Sequence, residues 1–123
     1  MESLAELGDQ LVVEVLVRDL DRSLAVYTSL GFTLERREGS FAALSFEGRE
    51  FFLDQRTDLP AIESSRANVR ILTRDVDAKW ELVHRLGLSV EQPIADRYYG
   101  LRDFTVLDPD GFGLRFAGPI TGV

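Results

Sequence analysis

The chain has 123 residues, the length of one ordinary domain, and 45% of them are hydrophobic, enough to bury a core without disulfides or metal. It has no cysteine, which excludes a disulfide framework, zinc–thiolate sites and thiol catalysis and points to a reducing compartment. Fourteen Lys and Arg against 21 Asp and Glu give a formal charge of −7, which repels phosphate backbones, argues against nucleic acid as a partner, and serves either solubility or the attraction of a cationic ligand.

Residues 1–10 lack the basic start and apolar run of a secretory signal and are read as a short N-terminal arm. No apolar stretch reaches the roughly 18–20 residues that span a bilayer, so no membrane partner and a cytoplasmic location are expected. Leu11–Val17 is a short apolar run rich in β-branched residues and is predicted as a strand. Asp19 follows, placed to accept the first free amides of a helix, with Asp21 inside the helix's positive end. Leu24, Tyr27 and Leu30 keep helical spacing, and Gly31 stands where a left-handed cap closes the helix. Three strands follow, roughly Thr33–Arg37, Phe41–Phe46 and Glu50–Asp54, with a turn at Glu47-Gly48. Residues 57–66, which include Pro60 and two serines, form a linker.

The second half repeats this order. Val69–Leu72 is a strand, Asp75 and Asp77 start a helix, Trp80, Val83 and Leu86 keep its apolar spacing, and Gly87 ends it. That spacing makes Trp80 a core residue and leaves His84, the only histidine, on the outer side. Strands are predicted near Ser89–Gln92, Asp103–Leu107 and Phe112–Phe116, and Asp108-Pro109-Asp110-Gly111 is a hairpin turn because Pro fixes φ and Gly accepts positive φ. At an offset of 56 residues the halves share Arg18/Arg74, Asp19/Asp75, Asp21/Asp77, Leu30/Leu86 and Gly31/Gly87. The chain is therefore predicted as α+β, with βαβββ modules at residues 11–56 and 67–123 in one structural domain.

Three segments carry a family likeness: Val17-Arg18-Asp19-Leu20-Asp21-Arg22-Ser23-Leu24 leading to Leu30-Gly31-Phe32, Thr73-Arg74-Asp75-Val76-Asp77-Ala78, and Phe104-Thr105-Val106-Leu107-Asp108-Pro109-Asp110-Gly111. The pattern resembles the vicinal oxygen chelate superfamily, which includes glyoxalase I, extradiol dioxygenases, fosfomycin-resistance enzymes and bleomycin-resistance proteins. The resemblance covers about residues 11–117. It implies a curved mixed sheet forming a cup, helices on the outer face, and a homodimer with ligand grooves at its interface.

In catalytic members of that superfamily, the first and last strands of each module supply ligands to a divalent metal. The resemblance places those positions at Val12, Phe52, Asn68 and Arg115. Valine and phenylalanine have no lone pair to donate, arginine is a permanent cation, and Asn68 offers one weak oxygen. A two-residue slip brings in Glu14 or Glu50 without completing a set. No metal and no cofactor are expected.

Strand alternation turns Glu14 and Leu16, Glu50, Phe52 and Asp54, Asn68, Arg70 and Leu72, and Gly113 and Arg115 toward the implied cup. These residues read equally as ligand contacts or as Glu14–Arg70 and Glu50–Arg115 charge pairs on a wet sheet. Phe41, Tyr98 and Tyr99 match places where bleomycin-resistance-type binders carry stacking rings, although Phe41 reads equally as core. The candidate ligand-binding set is therefore Glu14, Phe41, Glu50, Phe52, Asn68, Arg70, Tyr98, Tyr99 and Arg115, with no catalytic residue. The expected function is metal-independent sequestration of a planar, cationic, bleomycin-like ligand, a form of antibiotic resistance. Two rivals stand beside it: a glyoxalase-like lyase or isomerase with an atypical or metal-free site and Glu14 or Glu50 as general base, and a binder of an unrelated metabolite.

Overall fold

Two aspartates set the frame. Asp19 Oδ1 accepts the Arg22 amide at 3.1 Å and Asp75 Oδ1 accepts the Ala78 amide at 3.0 Å, giving an N-terminal N–H of each helix a partner. Helix α1 then runs Leu20–Ser29 and α2 runs Val76–Arg85, and the chain leaves them through Gly31 and Gly87, both at positive φ. The computed structural model describes residues 9–60 and 62–120. The expected N-terminal arm lies outside the described residues except for Asp9 and Gln10.

Around the helices the order is β1 (Val13–Val17), α1, β2 (Thr33–Glu38), β3 (Phe41–Phe46) and β4 (Arg49–Gln55), then β5 (Asn68–Leu72), α2, β6 (Ser89–Asp96), β7 (Leu101–Leu107) and β8 (Gly113–Pro119). This is βαβββ twice, as the repeat predicts. Each module makes its own four-stranded mixed sheet, ordered β1-β4-β3-β2 and β5-β8-β7-β6. The first strand pairs parallel to the last, and the other pairings are antiparallel. Strand β6 runs past its expected end at Gln92 to Asp96. It passes Pro93 through register irregularities between Val90 and Ala95, which an edge strand tolerates because Pro has no N–H to pair.

One face of each sheet packs under its helix. Val15, Val17, Phe51 and Leu53 are buried there with Leu20, Leu24, Tyr27 and Leu30, and Phe104 stacks on Phe116 at 5.3 Å. Trp80 packs on Phe104 at 5.0 Å, the core role its spacing predicts. His84 is exposed, and its Nδ1 lies 2.7 Å from the Trp80 carbonyl. Both modules contribute to a single core, with Phe51 and Phe112 meeting across the join at 6.5 Å.

The hairpin between β7 and β8 fastens the second module to the first. Asp110 Oδ1 accepts the Arg18 amide at 3.1 Å, Arg18 Nε at 2.7 Å and Arg22 Nη2 at 3.2 Å. Beside it the Tyr27 hydroxyl donates to Asp108 Oδ2 at 2.8 Å, while Asp108 Oδ1 accepts the amides of Asp110 and Phe112. Burial pushes the Asp108 carboxyl above its ordinary range against the pull of these hydrogen bonds. Burial, then the negative charge of Asp108, pushes the Tyr27 phenol well up.

Candidate functional site

The face of each sheet turned away from its helix is the open face. On the first module, Glu14 pairs in register with Phe52, Phe52 with Ala43, Phe41 with Asp54, and Ser45 with Glu50. Glu14 and Glu50 are exposed, and Phe41, Phe52 and Asp54 are half-buried. The rings of Phe41 and Phe52 meet edge-on at 5.0 Å, and the Arg36 guanidinium lies 5.7 Å from the Phe41 centroid. Phe41 is thus an open-face ring and not part of the core. Among the described residues neither Glu14 nor Glu50 joins an ion pair.

The second module's open face is built around a residue that sequence reading passed over. Asp103 has a fully buried side chain. Its Oδ1 accepts Arg97 Nε at 2.7 Å, and its Oδ2 accepts Arg115 Nη2 at 3.1 Å and the Tyr99 hydroxyl. Arg115 Nη2 also donates to the Tyr99 hydroxyl at 2.6 Å. Burial alone would raise the Asp103 carboxyl, but Tyr99, Arg97 and Arg115 together outweigh it and hold the group below its ordinary range. Arg70 pairs in register with Arg115, and its guanidinium lies 5.7 Å from the Tyr99 centroid. Tyr98 is fully exposed, edge-on to Tyr99 at 5.1 Å. Asn68 is exposed and pairs with Gly113.

The Glu14–Arg70 and Glu50–Arg115 charge pairs, the alternative reading of these residues, do not form. The register explains why: Arg115 stands beside Thr105 on β7, two residues from Asp103 on the same face, so a nearer carboxylate takes it. Arg97 reaches the same carboxylate because the tight turn ending at Gly100 folds it back over β7. Of the candidate set, Phe41, Phe52 and Glu14 gather on one sheet, and Arg70, Tyr98, Tyr99 and Arg115 on the other. A cavity of about 490 Å³ lies between the start of β4 and strand β5. Glu50 and Arg70 stand among its polar lining, and Phe32, Phe46, Phe51 and Ile71 among its apolar wall.

The register also sharpens the metal question. Val12 precedes β1, so the residues level with Phe52 and Arg115 are Glu14 and Arg70. One carboxylate, one phenyl ring and two permanent cations do not fit a divalent metal. Among the described residues, no three His, Cys, Asp or Glu side chains gather where they could hold one.

The sequence profile of the Glyoxalase/Bleomycin resistance protein/Dioxygenase superfamily matches residues 9–116. Among solved structures, the chain is similar to a glyoxalase/bleomycin resistance protein/dioxygenase from Alicyclobacillus acidocaldarius, with 25% identity, 92% of each chain covered and a TM-score of 0.72. It shares its fold with a bleomycin resistance determinant encoded on the transposon Tn5, at 19% identity, covering 91% of this chain and 98% of that one, TM-score 0.71. It also shares it with a mutant of the fosfomycin resistance protein FosX from Listeria monocytogenes, complexed with Mn(II) and 1S,2S-dihydroxypropylphosphonic acid, at 14% identity, covering 93% and 94%, TM-score 0.78. No curated protein matches the sequence significantly. Among the described residues, no helix is long and apolar enough to cross a membrane.

Proposed function

Because the chain belongs to the Glyoxalase/Bleomycin resistance protein/Dioxygenase superfamily, we propose that it acts there as a metal-independent binding protein that sequesters a planar small molecule. The superfamily joins enzymes with binders, so membership alone leaves both open. The observation that carries the proposal is the two register pairs, Glu14 with Phe52 on one sheet and Arg70 with Arg115 on the other, whose donor chemistry supports binding over metal-assisted catalysis.

Recognition follows from what these faces offer. The paired rings of Phe41 and Phe52, and of Tyr98 and Tyr99, present π-surface to a flat group. Glu14 and Glu50, which join no ion pair among the described residues, attract a cationic substituent. The cavity beside Glu50 and Arg70 lies within the size range of small-molecule sites. Leu16 and Leu72 are 40% and 67% exposed on the open faces, which supports a second copy of the chain closing them in a homodimer. A cationic antibiotic of the bleomycin type is the first ligand to try, with the cytoplasm as the expected compartment.

Elemental analysis and calorimetry test this reading together. The expected result is no stoichiometric divalent metal in the purified protein and saturable heat on titration with bleomycin, weakened at least tenfold by Phe52→Ala. Stoichiometric metal, or no heat at micromolar protein, would overturn it.

A further inference from the structure

We propose that Arg70 and Arg115 form an oxyanion subsite, so that the ligand carries a carboxylate or phosphoryl group besides its planar part. This rests on the reading that the open faces bind a small molecule, and it names a feature of that molecule.

Four observations lead there. Arg70 and Arg115 are register partners on adjacent strands, pointing to the same face, and like charges side by side on a sheet repel. Arg97 and Arg115 share the one carboxylate of Asp103, and among the described residues Arg70 joins no ion pair, although Glu50 lines the same cavity, so guanidiniums outnumber the carboxylates near them. Arg115 Nε is buried with no hydrogen-bond acceptor, in a guanidinium whose Nη2 is the atom that bonds Asp103 and Tyr99. This local surplus of positive charge stands in a chain of formal charge −7.

The surplus is not demanded by the fold. The same two positions of the first module hold Glu14 and Phe52, and that sheet forms equally well. What the pair offers is a fork of N–H donors whose geometry suits planar carboxylate and tetrahedral phosphoryl oxygens. Arg70 is exposed and its guanidinium leans on the Tyr99 ring, so an oxyanion bound at that guanidinium has a ring face beside it.

The test titrates the full chain with benzoate, inorganic phosphate and benzamidine, followed in proton–nitrogen correlation spectra. Benzoate or phosphate is expected to shift the guanidinium signals of Arg70 and Arg115 and the amide of Gly100, in a manner weakened by salt. Arg70→Gln is the primary variant, because Arg70 is exposed and bonds to no carboxylate; it should lower anion affinity at least tenfold with the thermal midpoint unchanged, and Arg70→Lys should recover part of the loss. Anions that leave these signals unmoved, or bind Arg70→Gln as tightly as the parent, overturn the subsite. If phosphate binds through Arg70 while neither aromatic compound binds, the subsite stands and the planar-ligand reading falls. If benzamidine binds at the Phe41–Phe52 rings and both anions are inert, the planar-ligand reading stands and the subsite falls.

Discussion

Asp103 shows how one buried charge can organise a surface. Both of its oxygens are occupied, by the phenol of Tyr99 and the guanidiniums of Arg97 and Arg115. Asp103→Asn keeps the shape but loses the charge that holds Arg97 and Arg115, and is expected to cost about 2–3 kcal/mol at neutral pH in urea unfolding. The folded carboxyl sits below the ordinary value of about 3.9, so its contribution is complete above that value and is lost as pH falls through the depressed one. The gap between Asp103→Asn and the parent should therefore close in acid. Tyr27 works at the other end of the scale. Its phenol is raised above the ordinary value of about 10, so its contribution is complete below that value and is lost as pH climbs through the raised one. Tyr27→Phe should cost about 1–3 kcal/mol at neutral pH, a penalty that shrinks above about pH 10. Alternation alone was enough to place Glu14, Phe52, Arg70 and Arg115 on the open faces. It could not reveal Asp103, which stands ahead of the apolar Phe104-Thr105-Val106 run and whose partners arrive only through a turn and a cross-strand register. The one local clue was that Asp103 shares the parity of Thr105.

At the scale of elements, the β7–β8 hairpin is both a turn and a fastener. Asp110→Ala removes the acceptor of Arg18 and Arg22 at a side chain only 7% exposed, and is expected to destabilise the chain by about 3 kcal/mol, read by chemical denaturation. The two halves supply an internal control for backbone effects. Gly48 and Gly111 occupy matching turns at φ +80 and +93, but a Cβ at Gly48 meets nothing within 4 Å while one at Gly111 falls 2.2 Å from the Ile62 carbonyl oxygen. Gly48→Ala should therefore cost only the conformational penalty of about 1–2 kcal/mol, and Gly111→Ala should cost about 3 kcal/mol or more, compared by thermal melting. Element order, both N-caps and the hairpin turn were legible because each depends on residues within a few positions: Asp19 and Asp75, Gly31 and Gly87, Asp108 to Gly111. The extension of β6 past Pro93 was not, since proline speaks locally against a strand and only its edge position admits it. The union of the modules in one core, through Phe51, Phe112 and the Asp110 cluster, likewise depends on contacts between distant segments that no periodicity encodes.

For the whole molecule, chelation and self-association are the measurable consequences. Treatment with a strong chelator should leave the thermal midpoint unchanged, as the donor chemistry of the Glu14–Phe52 and Arg70–Arg115 pairs implies. Sedimentation should show a dimer that Leu72→Asp weakens at least tenfold by placing a charge in the apolar part of the interface. The two register pairs also have a meaning that only the joining of the two halves can give them. Two identical modules, paired as separate chains, present a surface with twofold symmetry and can greet both ends of a guest only in the same way. Here Glu14 with Phe52 in one half and Arg70 with Arg115 in the other break that symmetry. A molecule held between such halves would meet a carboxylate and a ring on one side and two guanidiniums on the other, and would favour one orientation over its reverse.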